Sequence, residues 1–194
     1  MTLLKKFLLP LLAITLLAGC AASNNTLNIN PAIAQPQQDP GLMGITINIS
    51  SQDQRTDTAL AKIQRDGQLV SLYPSRDLRF LMQEVLEKQM TARGYMLGSS
   101  NGPQLQVVIN QLFANVQEGN VRFNITTSAD ISIKVQAPNG SSHVKNYRAT
   151  YNVQGAFSAT NQKIADSVTS VLSDVIADMA KDTSVHEFIK QNAR

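Results

Sequence analysis

The chain has 194 residues, 43% hydrophobic and 16% charged, a composition suited to a globular domain. Of its 17 Lys and Arg, two (Lys5 and Lys6) fall in an N-terminal leader, which leaves 15 basic against 14 acidic side chains in the remainder. So small an excess leaves no electrostatic footprint for nucleic acid, and a single cysteine excludes an intramolecular disulfide or a multi-thiolate metal centre.

Residues 1–6 (MTLLKK) form a short basic segment and residues 7–17 (FLLPLLAITLL) an apolar one. A helix of that length rises about 16 Å, half of a hydrocarbon core of about 30 Å, so it is too short to span a membrane. Leu17, Ala18 and Gly19 then lead into Cys20, with small residues that fit a peptidase slot. This is the layout of a signal peptide over residues 1–19. The LAGC run at 17–20 resembles the lipobox of bacterial lipoproteins, which implies that Leu17, Ala18 and Gly19 are recognised by the signal peptidase and that Cys20 carries the lipid. A single acyl chain holds a protein reversibly and two or three hold it stably, so no second membrane signal is required. Ala21, rather than an aspartate, follows the cysteine. By resemblance to Gram-negative sorting rules, that implies the outer membrane.

Residues 21–40 hold four Asn, three Gln and three Pro with one charge, Asp39. They predict a flexible tether over 20–40 with a root-mean-square reach of about 25 Å. Leu27 and Ile29 alternate with asparagines and could instead dock as an edge strand. The tether holds no Lys or Arg, which argues against electrostatic adhesion to lipid.

Residues 41–194 predict one domain. Ile45, Ile47 and Ile49 alternate with polar residues as a first strand. Residues 51–67 read as irregular, and Leu69 to Tyr73 as a short strand. Ser75 is placed to cap a helix with a stripe of Leu78, Leu81, Met82, Val85 and Leu86, stopped at Gly94. Over residues 121–137, eight of nine odd positions are apolar and every even one is polar, the pattern of an antiparallel strand with one buried face. Extended, that run would cover about 56 Å. A domain of this size is only about 38 Å across, so a bend, a strong twist or a break is expected near Ser128.

A three-residue loop over 139–141 would pair odd with odd and set Ile133 opposite Tyr147. The turn at 117–120 would set Val116 opposite Val121 and Leu112 opposite Ile125. Leu105, Val107 and Ile109 have the opposite parity to Leu112, which predicts a bulge at Asn110–Gln111. Tyr147, Tyr151 and Phe157 share the inward parity. Thr160 opens a second helix whose Ile164, Val168, Val171, Leu172, Val175 and Met179 form one stripe. Ser184 and Glu187 suggest a capping box for a short last helix. The assembled expectation is an α+β two-layer sandwich, two helices packed on one face of a mostly antiparallel sheet, with the other face wet.

The chain resembles the YajG family of Gram-negative lipoproteins along essentially its whole length. The residues that carry this are the lipobox, QQDP at 37–40, LMG at 42–44, DQRTD at 53–57, SRDLRF at 75–80, EVLEKQMTARGY at 84–95, KNYR at 145–148 and HEFIKQNAR at 186–194. The resemblance implies an outer-membrane lipoprotein facing the periplasm, and it brings no activity, ligand or cofactor with it.

Only two histidines exist. His143 lies by a hairpin turn and reads as solvated. His186, near Asp182, Ser184 and Glu187, could be read as a catalytic cluster or as the capped start of a helix; capping is the better account, because all four lie within six residues. No second histidine falls at metal-ligand spacing. Asp53, Arg55, Asp57, Lys62, Arg65 and Asp66 crowd the loop after the first strand, and Arg76 and Arg79 open the next helix. They are either a wet loop with weak ion pairs or a recognition patch, centred on Asp53, Arg55, Asp57, Arg76 and Arg79. The absence of tryptophan lowers the case for a glycan-stacking groove.

The functional expectation is a membrane-anchored, non-enzymatic module without metal or cofactor that binds an envelope protein. A peptidoglycan-binding module is the alternative and a hydrolase at His186 a remote one. Cys20→Ser is expected to leave an unprocessed precursor and to abolish palmitate labelling; a variant that keeps the label would refute the anchor.

Overall fold

The alternating run at 121–137 becomes the spine of a sheet. In the computed structural model, which describes residues 25–98 and 101–192, the elements in chain order are β1 (Thr26–Leu27), a 3-10 turn (Pro40–Leu42), β2 (Thr46–Asp53), β3 (Ala61–Arg65), β4 (Gln68–Pro74), α1 (Leu78–Arg93), β5 (Met96–Leu97), β6 (Gln104–Glu118), β7 (Arg122–Gln136), β8 (Ser142–Ala156), α2 (Asn161–Lys181) and α3 (Ser184–Asn192). The leader, Leu17, Ala18, Gly19 and Cys20 lie outside the described residues.

β6, β7 and β8 form an antiparallel meander of 15-residue strands. The other edge of β6 is divided. β2 pairs with its first half in parallel, from Asn48 opposite Gln104 to Asp53 opposite Ile109, and β3 meets it further on, with Ala61 opposite Ala114. Beyond β2 lies β5; beyond β3 lie β4 and then β1. The sheet therefore forks, and the fork falls where β6 carries its bulge, between Ile109 and Gln111. The bulge lets Leu105, Val107 and Ile109 face the same core as Leu112, as their parity requires.

Both helices lie on that core face, α1 over β2, β5 and β6, and α2 over β6, β7 and β8. Every residue of the two expected stripes is buried. Gln89 of α1 donates to the carbonyl of Ile176 in α2 at 2.8 Å, and α3 closes the end of the layer. This is the expected α+β sandwich. On the opposite face side chains bond across strands: Asn110 donates to Ser132 (2.5 Å), Ser132 to Asn146 (2.8 Å), and Arg148 pairs with Asp130 (2.6 Å). Ser132 and Val108 are buried there, so that face is not wholly wet.

Several expectations are corrected. The span 51–67 is not irregular: β2 runs on to Asp53, and β3 and β4 form a hairpin closed by Asp66 (φ 50°) and Gly67 (φ 78°), the left-handed pair that a tight turn needs. Asp77, not Ser75, caps α1, accepting from the Arg79 amide at 2.9 Å. Of the three alternatives for β7 the break is removed, because its ladder to β8 is continuous. The β7–β8 loop has three residues, as expected, but starts one residue earlier. The Ala137 amide bonds the Ser141 carbonyl (2.8 Å), with Gly140 at φ 88° taking the left-handed place, so Ile131 opposes Tyr147 and Ile133 opposes Lys145. The β6–β7 ladder extends through Glu118 opposite Phe123, which sets Val116 against Ile125 and Leu112 against Ala129. Tyr147 is buried, but Tyr151 and Phe157 are exposed: β8 is the sheet's edge, and Phe157 lies past its end at φ 65°.

The largest departure concerns the expected tether. Residues 25–39 are a strap packed on the domain. β1 adds to β4 in parallel, Thr26 opposite Tyr73, and Leu27, Ile29 and Pro31 are buried. The Ala32 amide donates to Ser173 Oγ (3.0 Å), Gln89 to the Ala34 carbonyl (3.1 Å) and the Asp39 amide to the Arg93 carbonyl (2.9 Å). The polar composition hides a period-two apolar row that buries itself, while helix side chains take up the backbone groups. Leu27→Ala is expected to lower unfolding free energy by about 2–4 kcal/mol, and Asn28→Ala by less than about 0.5 kcal/mol. Urea denaturation reads both, and equal midpoints would show that the strap does not dock.

Candidate functional site

Of the five residues of the sequence-predicted patch, the fork of the sheet gathers three. A cleft of about 440 Å³ opens between the β2–β3 connection and the start of α1, lined by Asp53, Arg55, Thr58, Tyr73, Pro74, Asp77, Leu78 and Arg79. Asp57 lies outside it, paired with Lys62 at 2.7 Å and accepting from the Ala59 amide; that ammonium holds the Asp57 carboxyl below its usual range. Arg76 is also outside, shared with Lys88 on Glu84, whose carboxyl is drawn down to about 2 by the bonds from Lys88 and then Arg76.

The cleft's charges are largely engaged with one another. Arg55 Nη2 lies 2.7 Å from Asp53 Oδ2 and its Nε 2.9 Å from Oδ1, with side-chain exposures of 6% and 14%; its Nη1 donates to the Leu112 carbonyl at 3.1 Å. That carbonyl sits on the stretch of β6 between the end of β2 and the start of β3. Arg55 thus replaces a missing strand partner, and Asp53 neutralises it. Removing one member of so buried a pair costs about 3–5 kcal/mol. Asp77 and Arg79 form an exposed pair at 2.6 Å, where the guanidinium lowers the Asp77 carboxyl. Asp77 and Tyr73 were not singled out by the sequence reading. Asp77 could have been, as the acidic residue just before the first apolar residue of the stripe.

A second cluster surrounds His186, which is buried. Its Nδ1 lies 3.1 Å from the Tyr95 hydroxyl. Ser184 gives its hydroxyl hydrogen bond to Asp182 (2.6 Å), and Asp182 also accepts from the Ser184 amide (2.9 Å) and pairs with Lys145 (3.1 Å). Asp182, rather than Ser184, is therefore the capping residue. Ser184 engages Asp182 and His186 engages Tyr95, so the nucleophile–base contact of a hydrolase is not formed. Arg93 donates to the carbonyls of Ala180 (2.5 Å) and Asp182 (2.8 Å), and Lys190 pairs with Asp39 of the strap. The cluster is a clasp joining strap, α1 and α3. His143, expected to be solvated, is half-buried and stacks on Phe188 at 5.4 Å between ring centroids. Among the described residues no group of three or more His, Cys, Asp or Glu is placed to hold a metal ion.

The third feature is an edge. Among the described strands β8 pairs with β7 alone, leaving the outer side of a 15-residue strand unpaired.

An α+β domain that follows an apolar segment and the LAGC run at 17–20 is of the lipoprotein class, as the family and the relatives that it matches are described. The chain belongs to the YajG family: the family model described as "Uncharacterized lipoprotein" matches residues 31–190, which includes most of the strap. It is 62% identical over 190 residues to the uncharacterized lipoprotein YajG of Escherichia coli strain K12, covering 98% of this chain and 99% of that one. The figures are the same for the YajG protein of Escherichia coli O6:H1. The chain is similar in fold to a crystal structure of a Xanthomonas campestris protein, with a TM-score of 0.52 over 84% of this chain and 96% of that one at 8% identity.

Burial, followed by the charge of Arg93, pushes the His186 imidazole down to about 4. A folded value below the unfolded value of about 6.5 means that the unfolded chain takes up the proton first as pH falls. Stability is therefore full above about pH 6.5 and is lost towards pH 4. Between pH 7 and pH 5 this group alone is expected to remove about 2 kcal/mol. Urea midpoints measured across that range should flatten in His186→Gln, and an unchanged slope would mean that His186 is not the titrating group.

Proposed function

We propose that the protein is a non-enzymatic module, held by lipid on Cys20 to the periplasmic face of the outer membrane, that binds an envelope protein by strand addition along β8. The open edge of β8 carries this reading. An unpaired edge of this length presents a row of backbone donors and acceptors, which is the usual template for an added strand. Lys145 and Arg148 act as charged guards against indiscriminate pairing, each held by an aspartate, Asp182 and Asp130. The lipobox and the Ala21 that follows it support the location. The buried, internally bonded state of His186 and of the Asp53–Arg55 pair supports a role without chemistry.

The cleft at Asp53, Arg55 and Arg79 is the second contact in this proposal. It takes a polar segment of the partner through Arg79 and Tyr73, which are exposed, while Arg55 stays in place. A cell-wall ligand is the alternative occupant, favoured by the exposed Tyr73 ring at the rim.

A photo-crosslinking residue at Asn152 on β8 is expected to trap a discrete envelope protein in intact cells, whereas one at Asp174 on the outer face of α2 is not. Sedimentation with purified sacculi tests the alternative. Identical crosslinks at both positions, or co-sedimentation without a protein adduct, would overturn strand addition.

A further inference from the structure

We infer that one end of the sheet, bearing Leu69, Val121 and Phe157, rests in the surface of the lipid leaflet that holds the protein's own anchor. The inference rests on the reading of Cys20 as lipid-modified. Its second leg is where the chain enters the domain. β1 runs parallel to β4, with Thr26 opposite Tyr73 and the Tyr73 amide bonded to the Asn25 carbonyl at 2.8 Å. Followed backwards from Leu27, the chain therefore points along β4 towards its start at Gln68, the tip of the β3–β4 hairpin. Four residues separate Cys20 from Asn25. The five Cα steps between them reach at most about 18 Å, and the five from Tyr73 back to Gln68 cover about 17 Å. The anchor's reach thus matches the distance to that tip. It falls well short of the sheet's far end, because β6 alone is about 46 Å long.

The tip is not an isolated turn. Arg65, opposite Gln68 in the hairpin, donates to the Ala159 carbonyl at 2.6 Å and pairs with Glu118 at 3.4 Å. Glu118 in turn accepts from the Ala159 amide at 2.7 Å, and the Phe157 amide bonds the Val121 carbonyl at 3.0 Å. The hairpin, the β6–β7 turn and the end of β8 are thereby tied into one surface. On it stand the three most exposed large apolar side chains among the described residues, Phe157 at 76%, Val121 at 71% and Leu69 at 63%, with Phe80 at 62% and Met43 at 60% standing elsewhere. Phe157 is held out by a left-handed backbone, a conformation that bulky residues rarely take. Such strain in an exposed aromatic serves nothing in the core. Arg122 and Lys163 are exposed cations at the same end, Lys163 lying over the Phe123 ring at 4.6 Å. The acids there are Asp66 at the hairpin turn and Glu118, which is paired with Arg65. Apolar tips flanked by cations are what an interfacial contact with anionic lipid requires.

The protein has no tryptophan, so one can be introduced as a reporter. Acylated full-length protein carrying Phe157→Trp or Val121→Trp, reconstituted in vesicles of phosphatidylethanolamine and phosphatidylglycerol with brominated acyl chains, is expected to show blue-shifted emission quenched several-fold. Met96→Trp, exposed at the opposite end, is expected to be quenched little. Equal quenching at the two ends, in protein whose mass shows the lipid, overturns the orientation while leaving the anchor intact. A mass without lipid overturns both.

Discussion

A sheet edge offers a single row of donors and acceptors, and β6 lends one edge to two strands in turn. Between them the backbone near the bulge needs other partners, since an unmet buried carbonyl or amide costs about 1–3 kcal/mol. The connection from β2 to β3 supplies them. The Gln54 amide reaches the Ile109 carbonyl (3.0 Å), the Ala114 amide reaches the Leu60 carbonyl (2.7 Å), and the Arg55 guanidinium takes the Leu112 carbonyl. Once a guanidinium is buried there, a carboxylate must accompany it, and Asp53 does so from the last position of β2. The cleft that holds the charged residues is the opening of this fork, and much of its charge is committed to keeping the fork closed.

The strap and the clasp extend the same economy to the ends of the domain. Leu27 and Ile29 complete the core beneath α2, and the chain then crosses both helices before Asp39 meets Lys190 of α3. The first and last described segments are thus bonded to each other and to α1 through Arg93. A domain joined in this way has little independent motion relative to the point at which its chain enters. β8 lies on one flank of the sheet and the fork on the other.

Much of this was legible. The α2 stripe, the α1 stripe and its Gly94 stop, the bulge at Asn110–Gln111 and the odd-to-odd pairing of β7 with β8 all follow from the rule that one face is buried. Parity, however, is blind to shifts by two. Nothing apolar distinguishes a β7–β8 loop starting at Pro138 from one starting at Asn139. Likewise Gln117, Glu118 and Asn124 can lengthen the β6–β7 ladder without any hydrophobic cost. Caps were misplaced where two candidates stood close together, Ser75 beside Asp77 and Ser184 beside Asp182, and in each case the carboxylate prevailed as the stronger acceptor. The β3–β4 hairpin had a signal, the Asp66–Gly67 pair, which the density of charge around it obscured. The patch was half-legible: adjacency in sequence brought Asp53 and Arg55 together, but only the fold could show that Arg76 and Asp57 face elsewhere and that Asp77 and Tyr73 complete the cleft.

The parallel pairing of β1 with β4 also determines how the domain would meet tension entering along its N-terminal strand. Tension entering at residue 25 runs along the strand axis, across the hydrogen bonds rather than in line with them. The Tyr73 amide on Asn25 and the Ser75 amide on Leu27 share that load, and the buried Leu27 side chain adds its packing to them. An antiparallel strand pulled from its hairpin end would surrender its bonds one by one. The first described strand is fastened in shear, so tension along its axis loads its bonds together rather than one by one.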